Sequence, residues 1–352
     1  MKKSLILAAC VSVALASCVN DDRFEVLEKQ VKISFSTPVS GSNTRVLYGE
    51  IEGTYPTGEK FRVFGLQHEG TYAGTGWDTQ NLMINNDEVE YNLSYHGWET
   101  VGKTYFWPAG KKMTFGAYSP SDAYQDVVNN SGEITYNATG LHITKFKVNT
   151  DPGKQYDLMY SEVSKNRETS PSSSTQGYNG VDINFHHALS SVNFYVKLAS
   201  NVSSGSIKNV KINNVKCVGD FNQNIVWNDQ TTPSNQTLGS ANWTRTDETA
   251  SYVVLATEMA AGADPVRVGD DMILMPQPFE GIENATITLD YKLGHNPWVE
   301  NYTIKISSLS SYWIMGKRYN YAIVLGGSGV TPIYFAPVVN GWSNEDKEIK
   351  LP

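Results

Sequence analysis

Cys18 carries the clearest chemistry in this chain. It follows Leu15-Ala16-Ser17, which closes an apolar run from Leu5 to Ala16 behind the basic start Met1-Lys2-Lys3. A charged start, a short apolar run and small residues at its end make a secretory signal, and the run is too short to span a bilayer. The order Leu-Ala-Ser-Cys matches a bacterial lipobox, in which the cysteine is lipidated and becomes the new first residue. Residues 1–17 therefore read as a signal peptide and 18–23 as a lipidated tether. The alternative is a plain signal peptide cut after Ala16 or Ser17. One acyl chain binds a membrane only marginally, so stable tethering calls for several chains on Cys18.

Other residue types that could do chemistry are sparse. Cys10 leaves with the signal and Cys18 is lipidated, so Cys217 has no partner for a disulfide or a two-cysteine metal site. It could be a reactive thiol, but it lies in the strand-like run Val215-Lys216-Cys217-Val218, which fits a buried, inert core residue better. His186-His187 could ligate a metal, but neighbours on a strand point to opposite faces, which fits one buried and one exposed histidine better. Asp270-Asp271 and Asp21-Asp22 lack the regular acidic spacing of a calcium loop and read as solvated turns. No nucleophile elbow, phosphate loop or zincin helix occurs, so no catalytic residue, cofactor or metal is assigned. Gly326-Gly327-Ser328-Gly329 lacks the lysine of a phosphate cradle and reads as a flexible connection. The aromatic stretches Tyr72 to Trp77 and Tyr95 to Trp98 could stack sugar rings or simply pack as hairpins.

Charge narrows the partners. The chain has 28 basic and 36 acidic residues; without residues 1–17 the net charge falls to about −10. That balance argues against nucleic acid or an anionic membrane surface.

The elements that must position these residues are strands. Val31, Ile33 and Phe35 alternate with Lys32, Ser34 and Ser36. The same period of two runs through Val192 to Leu198, Ile287 to Leu293, Tyr302 to Ile306 and Tyr319 to Leu325. Such alternation puts one face on a core and the other in water, as in antiparallel sheets. Gly, Asn, Ser and Pro clusters break the runs at short intervals, and no amphipathic helix exceeds about two turns. The polar stretch Glu168 to Gly180 has linker composition. It divides the chain into an N-terminal domain, 24–184, and a C-terminal domain, 185–352. Each is long enough to bury a core.

Four stretches together resemble the fimbrillin family of the Bacteroidales, the subunits of type V pili. They are Tyr105-Phe106-Trp107-Pro108-Ala109-Gly110-Lys111 running into Phe115-Gly116-Ala117-Tyr118-Ser119-Pro120; Phe185-His186-His187-Ala188-Leu189-Ser190-Ser191-Val192-Asn193-Phe194; Gly316-Lys317-Arg318-Tyr319-Asn320-Tyr321; and Val338-Val339-Asn340-Gly341-Trp342. Cys18-Val19-Asn20-Asp21-Asp22 is also similar to the acidic signal that sends such lipoproteins to the cell surface. The resemblance implies an all-β fold of two transthyretin-like antiparallel β-sandwich domains in tandem. It implies an outer-membrane lipid-anchored protein of the cell surface or fimbrium.

The family's assembly, by implication, cuts the lipoprotein with an arginine-specific protease after the first strand. The groove left behind is filled by a strand of the next subunit. Here Lys29 to Thr37 is the first alternating strand and Pro38 to Thr44 a polar, accessible loop that Arg45 closes. Arg23 lies before the strand, and Arg62 sits inside the strand-like run Phe61 to Leu66. Cleavage is therefore expected between Arg45 and Val46; the other reading of Arg45 is a loop arginine with no role. The donated strand is expected from 331–352, with Ile333 to Val339 and Glu348 to Leu351 as the pair and Gly326 to Gly329 as a hinge; the other reading keeps these strands in their own sheet. Expected partners are other pilus subunits, in a homo- or hetero-polymer, the outer membrane through the lipid, the processing protease, and host or bacterial glycans or proteins. The reading is a structural, non-enzymatic stalk or accessory subunit supporting adhesion. The rival is a surface glycan-binding lipoprotein that captures oligosaccharides. Trp107 and Trp342 are expected to be buried packing residues.

Overall fold

The computed structural model describes residues 31–36, 55–69, 82–94, 96–167, 180–227, 236–237, 241–326 and 343–351. The fold is all-β. Among the described residues the only α-helix is Ala123–Asn129, seven residues long, and no helix is long and apolar enough to cross a membrane.

The strands form four main sheets. The first runs Val181–Asp182, Phe35–Ser36, Gly97–Thr100, Leu82–Asn92, Phe61–His68, Lys112–Ser119, Met159–Ser161 and Phe185–His187, with Ser164–Arg167 also on Lys112–Ser119. A second orders Val266–Leu274, Ser190–Leu198, Lys317–Leu325 and Ser343–Leu351. The third orders Thr249–Leu255, Gly205–Lys216, Thr286–Leu293 and Val299–Lys305. In the fourth, Ile134–Asn137 and Gly140–Lys147 continue into Val218–Asn222 and Asn242–Arg245. The first three sheets draw their strands from one side or the other of residue 188, and the fourth joins strands from both sides.

Pairing is antiparallel in most places, as alternation predicts. Parallel neighbours occur where Phe35–Ser36 meets Val181–Asp182, and where Lys317–Leu325 meets both Ser190–Leu198 and Ser343–Leu351. These strands are far apart in sequence or joined by a long connection, so no hairpin turn dictates their direction.

The middle strands of the first sheet, Phe61–His68 and Lys112–Ser119, are buried on both faces. Phe61 and Val63 enter one hydrophobic cluster with Ile33, Phe35, Trp98, Trp107, Met113, Phe115 and Val181. Phe64 and Tyr118, one pleat along, enter the larger cluster that continues through Val192, Phe221, Ile287 and Tyr321. Successive side chains on a strand point to opposite faces, so the same strands feed both cores. Gly116 permits the second face to close. A Cβ there would lie 2.1 Å from Cζ of Tyr136, so the Tyr136 ring rests directly on the backbone.

Three details depart from the sequence reading. Asn193 was expected in water but is 2% exposed, where its amide hydrogen-bonds Asn320 at 3.4 Å. Asp290 is 6% exposed and accepts from Asn301 N at 2.8 Å and Asn209 Nδ2 at 2.7 Å. Both lie on interior strands covered on either side. Asp270-Asp271 lies within the strand Val266–Leu274 rather than a turn, and Asp271 pairs with Arg267.

Candidate functional site

The most distinctive construction around an expected functional element is the seat of segment 31–36. Its buried apolar residues are Ile33, 1% exposed, and Phe35, 2% exposed, with Val31 partly buried beside them, while Lys32, Ser34 and Ser36 alternate with them on the other face. On one side Ile33 N donates to Tyr105 O at 2.8 Å, and Trp107 N donates to Val31 O at 2.9 Å. On the other, Val181 N donates to Ser34 O and Ile183 N to Ser36 O, both at 2.8 Å. Phe35 also pairs antiparallel with Trp98. The segment is thus bonded along both edges over about 20 Å of extended chain.

Aromatic rings make the floor. Phe35 meets Phe115 edge-on at 5.7 Å and Phe61 at 6.2 Å. Tyr55 packs on Phe61 at 5.7 Å and Trp98 at 5.2 Å, and Trp107 meets Phe115 at 5.8 Å. Edge-to-face geometry fixes such rings beyond the gain from burial alone. Tyr55 donates to Lys60 O at 2.9 Å and shares a hydrogen bond with Ser119 Oγ at 2.8 Å. Its burial pushes the phenol far above its ordinary pKa, so it stays neutral.

Polar contacts mark the ends. Lys32 pairs with Glu99 at 2.7 Å, and Ser36 Oγ donates to Asp182 Oδ1 at 2.8 Å. Gly180 has φ +105°, and a Cβ on it would lie 3.0 Å from the Phe35 carbonyl carbon. Only glycine lets the chain pass this close to the segment. The sequence reading took Gly180 as the end of a linker and missed Asp182 and Glu99. The bracketing of Val181 and Ile183 by polar neighbours was the available signal.

The other expected residues fall as follows. Cys18, Arg45, Val46, the stretch Tyr72 to Trp77, Tyr95, Ile333 to Val339 and Trp342 lie outside the described residues. Arg62 is within the strand Phe61–His68, where its guanidinium donates to Asn86 O at 2.9 Å and lies 4.6 Å over the Tyr124 ring. Trp107 is 5% exposed and Trp98 4%, both packing residues of the first core. Cys217 is buried and free, and burial pushes its thiol pKa up. His187 is the more buried of its pair, at 10% side-chain exposure against 39% for His186; they face Asp157 and Glu162. The strand Ser343–Leu351, which contains Glu348 to Leu351, pairs within this chain along all of Lys317–Leu325.

The fimbrillin-like family profile matches residues 44–342. No curated protein matches the sequence. Among solved structures, a candidate cell adhesion protein of Bacteroides uniformis is similar at 14% identity and a TM-score of 0.49, over 84% of this chain and 94% of that one. A candidate cell adhesion protein of Bacteroides eggerthii covers 90% and 97% at 14% identity and a TM-score of 0.40. A fimbrial protein of Bacteroides ovatus has 10% identity and a TM-score of 0.34, over 92% of this chain and 51% of that one. The family match spans most of the sequence. The chain belongs to the fimbrillin-like family.

Proposed function

We propose that this protein is a structural, non-enzymatic subunit of a cell-surface type V pilus, stalk or accessory, that supports adhesion. It is exported as a lipoprotein acylated at Cys18 and held on the outer membrane. An arginine-specific protease cuts between Arg45 and Val46 and frees the first strand, and the groove then takes a strand of a neighbouring subunit. In this reading the segments within 331–352 are donated in turn, and the chain folds as two transthyretin-like domains, 24–184 and 185–352. Family membership supports a pilus or adhesion subunit.

The observation that carries the assembly reading is the seat of segment 31–36. It is bonded on both edges, it fills an aromatic groove with Ile33 and Phe35, and it lies just before Arg45. The family match begins at Thr44 and leaves that segment outside. Strand addition of this kind draws affinity from main-chain hydrogen bonds and specificity from side-chain pockets, and head-to-tail contacts that do not close give filaments.

Treatment with an arginine-specific protease should produce a Val46 N-terminus and higher-order assemblies in electron micrographs. Arg45→Ala should stay monomeric, and so should a chain ending at Val330. Mass spectrometry from the native cell should find an acylated Cys18, and Cys18→Ala should leave the membrane. A chain that is cut at Arg45 yet stays monomeric under all conditions refutes the stalk role.

A further inference from the structure

A cleft elsewhere in the fold shares no lining residue with the groove that seats segment 31–36. Three stretches distant in sequence, 242–245, 276–278 and 312–315, line a space of about 490 Å³. Its floor is fixed by two buried indoles. Trp243, 5% exposed, donates from Nε1 to Ala188 O at 2.6 Å, and Trp313, 2% exposed, donates to Tyr321 Oη at 2.9 Å. One wall is equally set. Ile314 N donates to Tyr319 Oη at 3.0 Å, Ser190 Oγ donates to Ile314 O at 2.9 Å, and Ser310 Oγ donates to Tyr312 O at 2.7 Å. On that held backbone the side chains of Tyr312 and Ile314 remain 48% and 52% exposed. Side by side on one wall, Tyr312 and Ile314 offer a small apolar face to a ligand.

The facing wall is the edge strand Asn242–Arg245. Arg245 donates from Nη1 to Pro276 O at 3.2 Å. Among the described residues no carboxylate lies within ion-pair distance of it, whereas Arg62 and Arg267 are matched by Glu88 and Asp271. A guanidinium has five N–H donors in a fork that fits a carboxylate, and most of those on Arg245 are uncommitted. The side chains of Asn242 and Thr244 are exposed and make no hydrogen bond among the described residues.

We propose that this cleft binds an acidic saccharide, with Arg245 pairing the sugar carboxylate, Tyr312 stacking on a ring face, and Asn242 and Thr244 reaching hydroxyls. The space is shallow and open to solvent, which suits one or two rings lying against its wall. A single unmatched cation beside neutral amide and hydroxyl groups fits one carboxylate among many hydroxyls. An acidic peptide carries several charges and would meet the field of a chain of net charge −8 with only one cation to offset it. The site is independent of strand removal and of the pilus reading.

The test titrates the full-length protein with methyl glucuronide and methyl galacturonide, each against the matching neutral glucoside or galactoside, by saturation-transfer NMR and calorimetry. At least one acid should bind about tenfold or more tightly than its neutral partner, the size of one charge-assisted hydrogen-bonded contact. Arg245→Gln should remove that preference and Arg245→Lys should keep part of it. Tyr312→Ala, at a half-exposed position whose main-chain pairing the substitution keeps, should weaken acid and neutral forms alike. Raising salt should shrink the preference for the acid. Any one of four results overturns the proposal: no binding of any of the four sugars, equal binding of acid and neutral forms, a preference that survives Arg245→Gln, or tighter binding of a tetraglutamate peptide that Arg245→Gln abolishes.

Discussion

Phe35 is the residue whose truncation tests the groove most directly. Its ring is 2% exposed and meets Phe115 and Phe61 edge-on. Replacing a fully buried phenylalanine with alanine costs about 3–5 kcal/mol, through lost transfer energy and the cavity left behind. Two well-formed aromatic pairs go with it, so we take about 4 kcal/mol or more. Unfolding entropy of about 2 cal/mol/K per residue gives roughly 0.7 kcal/mol/K if residues 31–352 unfold as one unit and roughly 0.3 kcal/mol/K if the domain 24–184 unfolds alone, so the thermal midpoint should fall by about 6 °C in the first case and about 12 °C in the second. Calorimetry of uncleaved Phe35→Ala against the parent measures this. Ser34→Ala is the control, because Ser34 contributes its carbonyl to the edge and the substitution leaves the backbone bond in place. A loss below about 1 kcal/mol, or a Ser34→Ala effect as large as that of Phe35→Ala, would mean that the segment does not plug the groove through its ring.

Gly116→Ala forces a methyl group into the Tyr136 ring and should cost at least the 1–3 kcal/mol typical of overpacking, read as a lower denaturant midpoint; a neutral result would refute the packing described for that face. Burial pulls the Glu88 carboxyl up, but the hydrogen bonds from Ser121 and Lys60 and the charges of Lys60 and Arg62 outweigh it and hold it below its ordinary value. Its contribution is therefore present above the ordinary carboxylate pKa of about 4.3 and is lost as pH falls through the lower folded value. Glu88→Gln should cost about 1 kcal/mol at pH 7 and flatten the acid limb of a stability profile, and an unchanged limb counts against the contact. Cys217 should resist alkylation at pH 8 in the folded chain and react at once in guanidinium, because burial both shields the thiol and raises its pKa.

How much of this was legible beforehand varies with the range of the interaction. Alternation at Val31, Ile33 and Phe35 announced a strand with one buried face, because side-chain period is local information. The partner of that strand was not legible. Phe35 pairs with Val181, far along the chain and beyond a polar stretch that reads as a linker. Asn193 and Asp290 broke the rule that the polar phase of an alternation faces water, since each is covered locally by polar partners, Asn320 for the one and Asn209 and Asn301 for the other, which no local pattern announces. The fimbrillin resemblance was carried by stretches such as Phe115 to Pro120, and the structure gives part of the reason. Phe115 faces one core, Tyr118 the other, and Gly116 makes room for Tyr136. The Arg245 cleft left no trace in the sequence, because its walls come from three separate stretches with no shared periodicity.

The seat of segment 31–36 has one parallel and one antiparallel border: Val181–Asp182 runs with the segment and Gly97–Thr100 against it. Hydrogen-bonding groups are spaced differently along the two kinds of border. A strand laid in backwards would present antiparallel spacing to the border built for parallel and the reverse to the other. A replacement that reproduces the segment's own bonds must therefore run in the segment's direction. If subunits are joined through this seat, every joint repeats the same arrow. The resulting fibre has two unlike ends, and growth at one of them is not interchangeable with growth at the other.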